Sequence, residues 1–173
     1  QATDWDTAIH RLVELTAASG PVVVLASGRA SLESLGLVQR LLAHREVTAA
    51  GQLPQGDEAA LGSIAGLALR SERAPNGAGA RMTGYTAGWG AAVAKAGTAA
   101  LTVLLDVSLT DAEVVSIQES VAVVALATLD DHRLAFAALT LPVSTMVEES
   151  GTYLNRDHRA QRYLQAKPAP GMA

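Results

Sequence analysis

The chain has 173 residues, of which 49% are hydrophobic and 17% charged, enough apolar material for one domain with a proper core and too much for disorder. It contains no cysteine, which excludes disulfides, thiolate nucleophiles, and zinc or iron–sulfur clusters held by its own thiolates, and favours an intracellular setting. The formal net charge of −4 gives phosphates no bulk attraction, so nucleic acid is not an expected partner.

The chain opens on Gln1 with neither a basic nor an apolar leader region, so a piece of a longer protein without a signal peptide is expected. Its longest apolar runs, Ala99 to Leu105 and Val121 to Leu129, fall well short of the roughly 20 residues that cross a bilayer. Direct membrane insertion is therefore not expected.

In chain order, Asp4 caps a first helix whose apolar positions Trp5, Ala8, Ile9, Leu12 and Val13 fall at helical spacing and which ends at Gly20. Pro21 to Ala26 is a continuous apolar run rich in valine, the pattern of a strand covered on both faces. Ser27-Gly28-Arg29 then turns the chain into a helix capped at Ser31, with Leu32, Leu35, Val38, Leu41 and Leu42 on one face and His44-Arg45 at its end. From Glu46 to Gly97 glycines including Gly51, Gly56, Gly62, Gly66, Gly77 and Gly79 break every period, and the segment reads as mostly loop with short helices.

The pattern returns with a strand over Ala100 to Leu105, a helix over Asp111 to Ser120, a strand over Val121 to Ala127, a helical turn over Asp130 to Phe136 and a strand over Ala138 to Leu141. Strands alternating with helices imply an α/β fold, a mainly parallel, Rossmann-like sheet between helical layers. Thr152 to Asn155 and Arg159 to Leu164, with Arg156-Asp157-His158 as the turn, predict a C-terminal β-hairpin appended to that sheet. Tyr153 and Leu154 would pack on the domain while the arginines face outward. Residues 1–165 thus form a single α/β domain and residues 166–173 a linker-like tail.

Ser27, Gly28 and Arg29 sit where such sheets bind ligands, at the carboxyl end of a strand and before a helix N-terminus that favours anions. A plain connecting turn is the competing reading, and the commoner one. Gly77-Ala78-Gly79 fails as a dinucleotide fingerprint, because Met82 stands where the third glycine belongs and LRSERAPN before it is no strand. His10, His44, His132 and His158 show no ligand spacing, Glu148 and Glu149 are adjacent and point apart, and no nucleophile elbow or phosphate-binding loop occurs. No catalytic residue is assigned.

The stretch LPVSTMVEESGTYLNRDHRAQR, Leu141 to Arg162, resembles a segment of molybdopterin oxidoreductase-type chains in which LP and a short spacer precede E-x-x-G-T-x-x-N-x-E-G-R-x-Q. Glu148, Gly151, Thr152, Asn155, Arg159 and Gln161 match that motif, whereas Asp157 and His158 replace its Glu-Gly and Ala138 replaces an Asp common before the final strand. VVVLASGRASLESLGLVQRLL and RAPNGAGARMTGYTAGWG are similar to segments of the large iron–sulfur subunit of bacterial NADH-quinone oxidoreductase, respiratory complex I. The resemblance spans nearly the whole chain.

It implies a structural, cofactor-free domain of that subunit, cytoplasmic in the peripheral arm of a membrane-bound complex, with iron–sulfur clusters held elsewhere in the subunit and electrons passing from NADH to quinone outside this chain. Its partners would be other domains of the same subunit and other subunits of the complex. In active molybdoenzymes the corresponding domain helps hold a pterin guanine dinucleotide, which makes Ser27, Gly28, Arg29, Pro75, Asn76 and Gly77, and the loop on to Gly79, the vestigial places to look. The alternatives are the cofactor-binding domain of an active molybdopterin oxidoreductase and a free-standing anion- or nucleotide-binding module.

Overall fold

An aliphatic run must be covered on both sides, and Val22–Ser27 (β1), apolar up to its last residue, is buried at all six positions. The structure, a computed structural model, describes residues 4–62, 64 and 67–170; Gly66 and residues 171–173 of the expected tail lie outside the described residues. Val22, Val24 and Ala26 face a core built with Ala8 and Leu15 of helix α1 (Trp5–Ala17), Leu35 and Val38 of α2 (Leu32–Leu41) and Ala80 of α3 (Gly77–Met82). Val23 and Leu25 face a second core with Ala92, Val93 and Ala96 of α4 (Trp89–Ala96) and Ile117 of α5 (Asp111–Ile117).

Five strands form the sheet in the order β2-β1-β5-β6-β7, with β2 at Val47–Gln52, β5 at Leu101–Leu105, β6 at Val123–Ala127 and β7 at Leu139–Pro142. Every pairing is parallel. The chain winds outward from β1 to β2 and then returns to the other side of β1, so the winding reverses between β1 and β5. Two residues each, Ala59–Ala60 (β3) and Ala68–Leu69 (β4), pair antiparallel beside it.

The caps follow the sequence. Asp4 accepts from the Thr7 amide at 2.8 Å and Ser31 from the Ser34 amide at 3.1 Å, and Thr110 and Glu113 close a reciprocal capping box on α5. Three expectations need correction. Helix α1 stops at Ala17, short of Gly20. Leu41 is exposed, because it lies one residue round the helix from buried Leu42 and turns outward with Leu37. The Gly-rich segment hides an edge strand, β2, whose Val-Thr-Ala-Ala-Gly-Gln sequence has weak strand propensity and is held by pairing to β1 rather than by its own residues.

The C-terminal hairpin pairs Gly151–Leu154 (β8) with Ala160–Tyr163 (β9). It is not appended to the main sheet but forms a separate two-stranded sheet packed on α2 and α3. The reason is that the outward amides of β8 find side-chain acceptors: the Thr152 amide donates to Glu33 and the Leu154 amide to Asn76, each at 2.8 Å. No strand is needed to satisfy them. Among the described residues, no helix is long and apolar enough to cross a membrane.

Candidate functional site

Sheets wound in this order bind ligands outside the carboxyl ends of the strands, where the winding reverses. Here that place lies between the ends of β1 and β5. The β1–α2 turn is short and its polar groups are already used. The amide of Gly28 donates to the Gln52 carbonyl at 3.1 Å, that of Arg29 to the Ser27 hydroxyl at 3.2 Å and that of Ala30 to the Ser27 carbonyl at 3.1 Å. Gly28 is required by space: a Cβ there would meet Ala74 Cβ at 2.7 Å and the Gln52 carbonyl at 2.9 Å. Gln52 then bridges to the far side of β1, donating to the Ser108 carbonyl at 2.7 Å and accepting from the Ser108 amide at 3.2 Å.

Beside that bridge a cavity of about 350 Å³ opens over the ends of β5, β6 and β7, lined among others by Arg29, Asp106, Ser108, Thr128, Thr145 and Glu149. Asp106 follows β5 with φ of 50°, a left-handed backbone that aspartate tolerates better than most side chains. Its carboxylate accepts from the Thr128 hydroxyl at 2.6 Å and the Thr128 amide at 3.3 Å. Glu149 accepts from the Tyr163 hydroxyl at 2.7 Å, and burial first, then that carboxylate, push the Tyr163 phenol well above its ordinary value. The exposed Arg29 guanidinium has no hydrogen-bond or carboxylate partner among the described residues.

The other vestigial candidates converge on the same turn. Asn76 is fully buried; its amide donates to the Gly28 carbonyl at 3.0 Å, its side-chain nitrogen to the Ala30 carbonyl at 2.8 Å, and its side-chain oxygen accepts from Leu154. Pro75 is exposed and Gly77 buried at the start of α3. Over them lies the hairpin, with the Tyr153 hydroxyl donating to the Arg29 carbonyl at 2.8 Å and the Thr152 hydroxyl to Glu33 at 2.8 Å. Burial pulls the Glu33 carboxyl upward, but the Thr152 hydroxyl, the amides and Arg162 outweigh it and hold the group below its ordinary value.

The matched motif is mostly hairpin architecture. Glu148 accepts from the Thr145 amide at 3.0 Å and meets Lys167 at 3.0 Å, and these contacts, the amide first, lower its pKa. A Cβ on Gly151 would meet the Tyr163 hydroxyl at 2.5 Å and Ser31 Cβ at 2.8 Å. The Asn155 side-chain oxygen accepts from the Asp157 and Arg159 amides at 2.9 Å each and so shapes the turn. His158, which stands where the motif has glycine, carries φ of 58°, the backbone glycine adopts without cost. Arg159 and Gln161 stand apart from the site, exposed.

Glu33, Gln52, Asp106 and Glu149 were not singled out as site residues by sequence reasoning. Only Asp106 carried a signal, a carboxylate directly after a strand that is apolar but for Thr102. Glu148 and Glu149 do turn to different partners, Lys167 and Tyr163, and the four histidines are exposed.

A family model for molybdopterin oxidoreductase matches residues 67–173. No curated protein matches the chain. Strands β1 and β2 precede the matched range and yet pair within the same sheet as β5, β6 and β7.

Proposed function

We propose a function from one premise: the chain belongs to the molybdopterin oxidoreductase family, and it is an oxidoreductase-type module. Within that family we read it as a structural, cofactor-free domain of the large iron–sulfur subunit in the cytoplasmic peripheral arm of an NADH-quinone oxidoreductase. Electrons then pass from NADH to quinone through iron–sulfur clusters outside this chain. Its role is to give neighbouring domains and subunits a rigid α/β platform.

The observation that carries the reading is the state of the β1–α2 turn. A diphosphate at such a turn is held by free backbone amides and a helix N-terminus. Here the amides of Gly28, Arg29 and Ala30 all donate within the protein, and the first turn of α2 carries the Glu33 carboxylate, clasped by Thr152. The residues present do not fit the diphosphate of a pterin guanine dinucleotide at this turn, because it would meet the Glu33 carboxylate and turn amides that already donate within the protein. What the chain's own residues do there is lock the hairpin to the sheet.

A second reading, the cofactor-binding domain of an active molybdopterin oxidoreductase, is favoured by the cavity next to the turn, onto which the Arg29 guanidinium opens. Purifying the native assembly that contains this chain separates the two. The structural reading expects NADH-quinone oxidoreductase activity to copurify with the chain and to survive Arg29→Ala. Substrate oxidation coupled to another acceptor, lost in Arg29→Ala, would favour the second reading.

A further inference from the structure

The chain has two asparagines, and one of them, Asn76, is followed by glycine. Asparagine before glycine is the dipeptide most prone to cyclise, since glycine lets its own amide nitrogen approach the asparagine side chain. Asn76 is fixed in this pair, because it satisfies Ala30 and Leu154 with its two side-chain groups. Packing therefore holds a labile pair at the place where the β1–α2 turn, α3 and the hairpin meet.

In the docked structure the pair is protected. Asn76 is fully buried with ψ of 31°, and its side-chain amide is fixed between two backbone partners on the side of the turn and the hairpin. We propose that Asn76–Gly77 is a latent deamidation site gated by the hairpin, and that its product holds the hairpin open. When the hairpin lifts, the Gly77 nitrogen bonds to the Asn76 side-chain carbonyl carbon, its proton leaves with the side-chain nitrogen as ammonia, and water opens the resulting succinimide to an aspartyl or isoaspartyl residue. No electrons are transferred and water is the only co-reactant. The new carboxylate can still accept from Leu154, but it has lost the donor for the Ala30 carbonyl and sets oxygen against oxygen in a buried place. Undocking thereby becomes one-way.

The gate is held from outside by the Thr152–Glu33 bonds, and Glu33 is exposed, so it can be altered without touching the core. Losing such charge-assisted bonds shifts a local equilibrium by roughly ten- to hundredfold, and a reaction confined to the open form follows that population. Intact chain and Glu33→Ala are incubated at mildly alkaline pH, and the peptides bearing Asn76 and Asn155 are followed by mass spectrometry. The expected result is slow conversion at Asn76 in the intact chain, conversion at least about tenfold faster in Glu33→Ala, and no change at Asn155. Equal rates at Asn76 in the two proteins, or a rate in the intact chain equal to that of the urea-unfolded chain, would overturn the gate. Asn76→Asp supplies the product directly: rapid hydrogen exchange at the Leu154 amide is expected, and full protection there would overturn the one-way step. Should that variant not fold, the same amide is compared in Glu33→Ala material before and after conversion of Asn76: faster exchange after conversion is expected, and an equal rate would overturn the one-way step.

Discussion

Truncation after Ser150 removes the hairpin and nothing of the five-stranded sheet. Leu154 is 7% exposed, so its burial contributes about 1.5–3 kcal/mol, and half-buried Tyr153 about 1 kcal/mol more. The bond from the Leu154 amide to Asn76 is lost as well, but Asn76 then meets water, so that change costs only about 1 kcal/mol. The pair of exposed Lys167 with Glu148 adds little, because the Glu148 carboxylate keeps its bonds to Thr145 after truncation. Together these come to about 3.5–5 kcal/mol, a large share of the roughly 5–15 kcal/mol that holds a domain together. For a chain of this length that lowers the melting temperature by on the order of ten degrees. Thermal melts of the intact and truncated chains, followed by far-ultraviolet circular dichroism, measure it directly. An unchanged melting temperature would refute the packed hairpin.

Arg159→Ala should leave the melting temperature of the chain nearly unchanged, within about 0.5 kcal/mol, because Arg159 is exposed; a loss comparable to truncation would contradict this in the same melts. Val24→Asp places a charge at a position with no exposure in β1, an interior strand of the sheet, and should leave the chain unfolded by circular dichroism, since an unpaired buried charge costs several kcal/mol. Gly28→Ala should destabilise by about 1–3 kcal/mol, read from denaturant midpoints, because its Cβ has no room against Ala74 and Gln52. Glu33 carries a folded-state pKa below its ordinary 4.5, so the stability it contributes is fully present above that value and is lost as acid protonates it. The near-ultraviolet signal of the Tyr153–Tyr163 pair, whose rings lie 4.9 Å apart, should weaken on titration from about pH 6 to about pH 3, and less steeply in Thr152→Val.

The strongest strands were legible because burial on both faces selects a nearly continuous apolar run, as in Val22–Ser27 and Leu101–Leu105, where Ser27 and Thr102 are the polar exceptions. The caps Asp4 and Ser31 were legible because their chemistry is local. Strand β2 was not, since Val47–Gln52 has neither an apolar block nor a clear alternation and its place is set by pairing to β1. Likewise nothing in the sequence ties Thr152 to Glu33 across 119 residues or Leu154 to Asn76 across 78. The hairpin's existence could be read from its own residues, but its seat could not. The β1–α2 turn was found by position alone. Its amides are taken up by Ser27 and Gln52 and its carbonyls by Asn76, and Gln52 and Asn76 both lie in the Gly-rich segment whose periodicity failed.

The central claim is that this edge of the sheet holds a hairpin in place of a cofactor. Quantifying molybdenum, tungsten and pterin in the native assembly that contains the chain tests it most directly. The account predicts iron and sulfide with no stoichiometric molybdenum, tungsten or pterin. One equivalent of either metal together with pterin, released when the assembly is denatured, would contradict it.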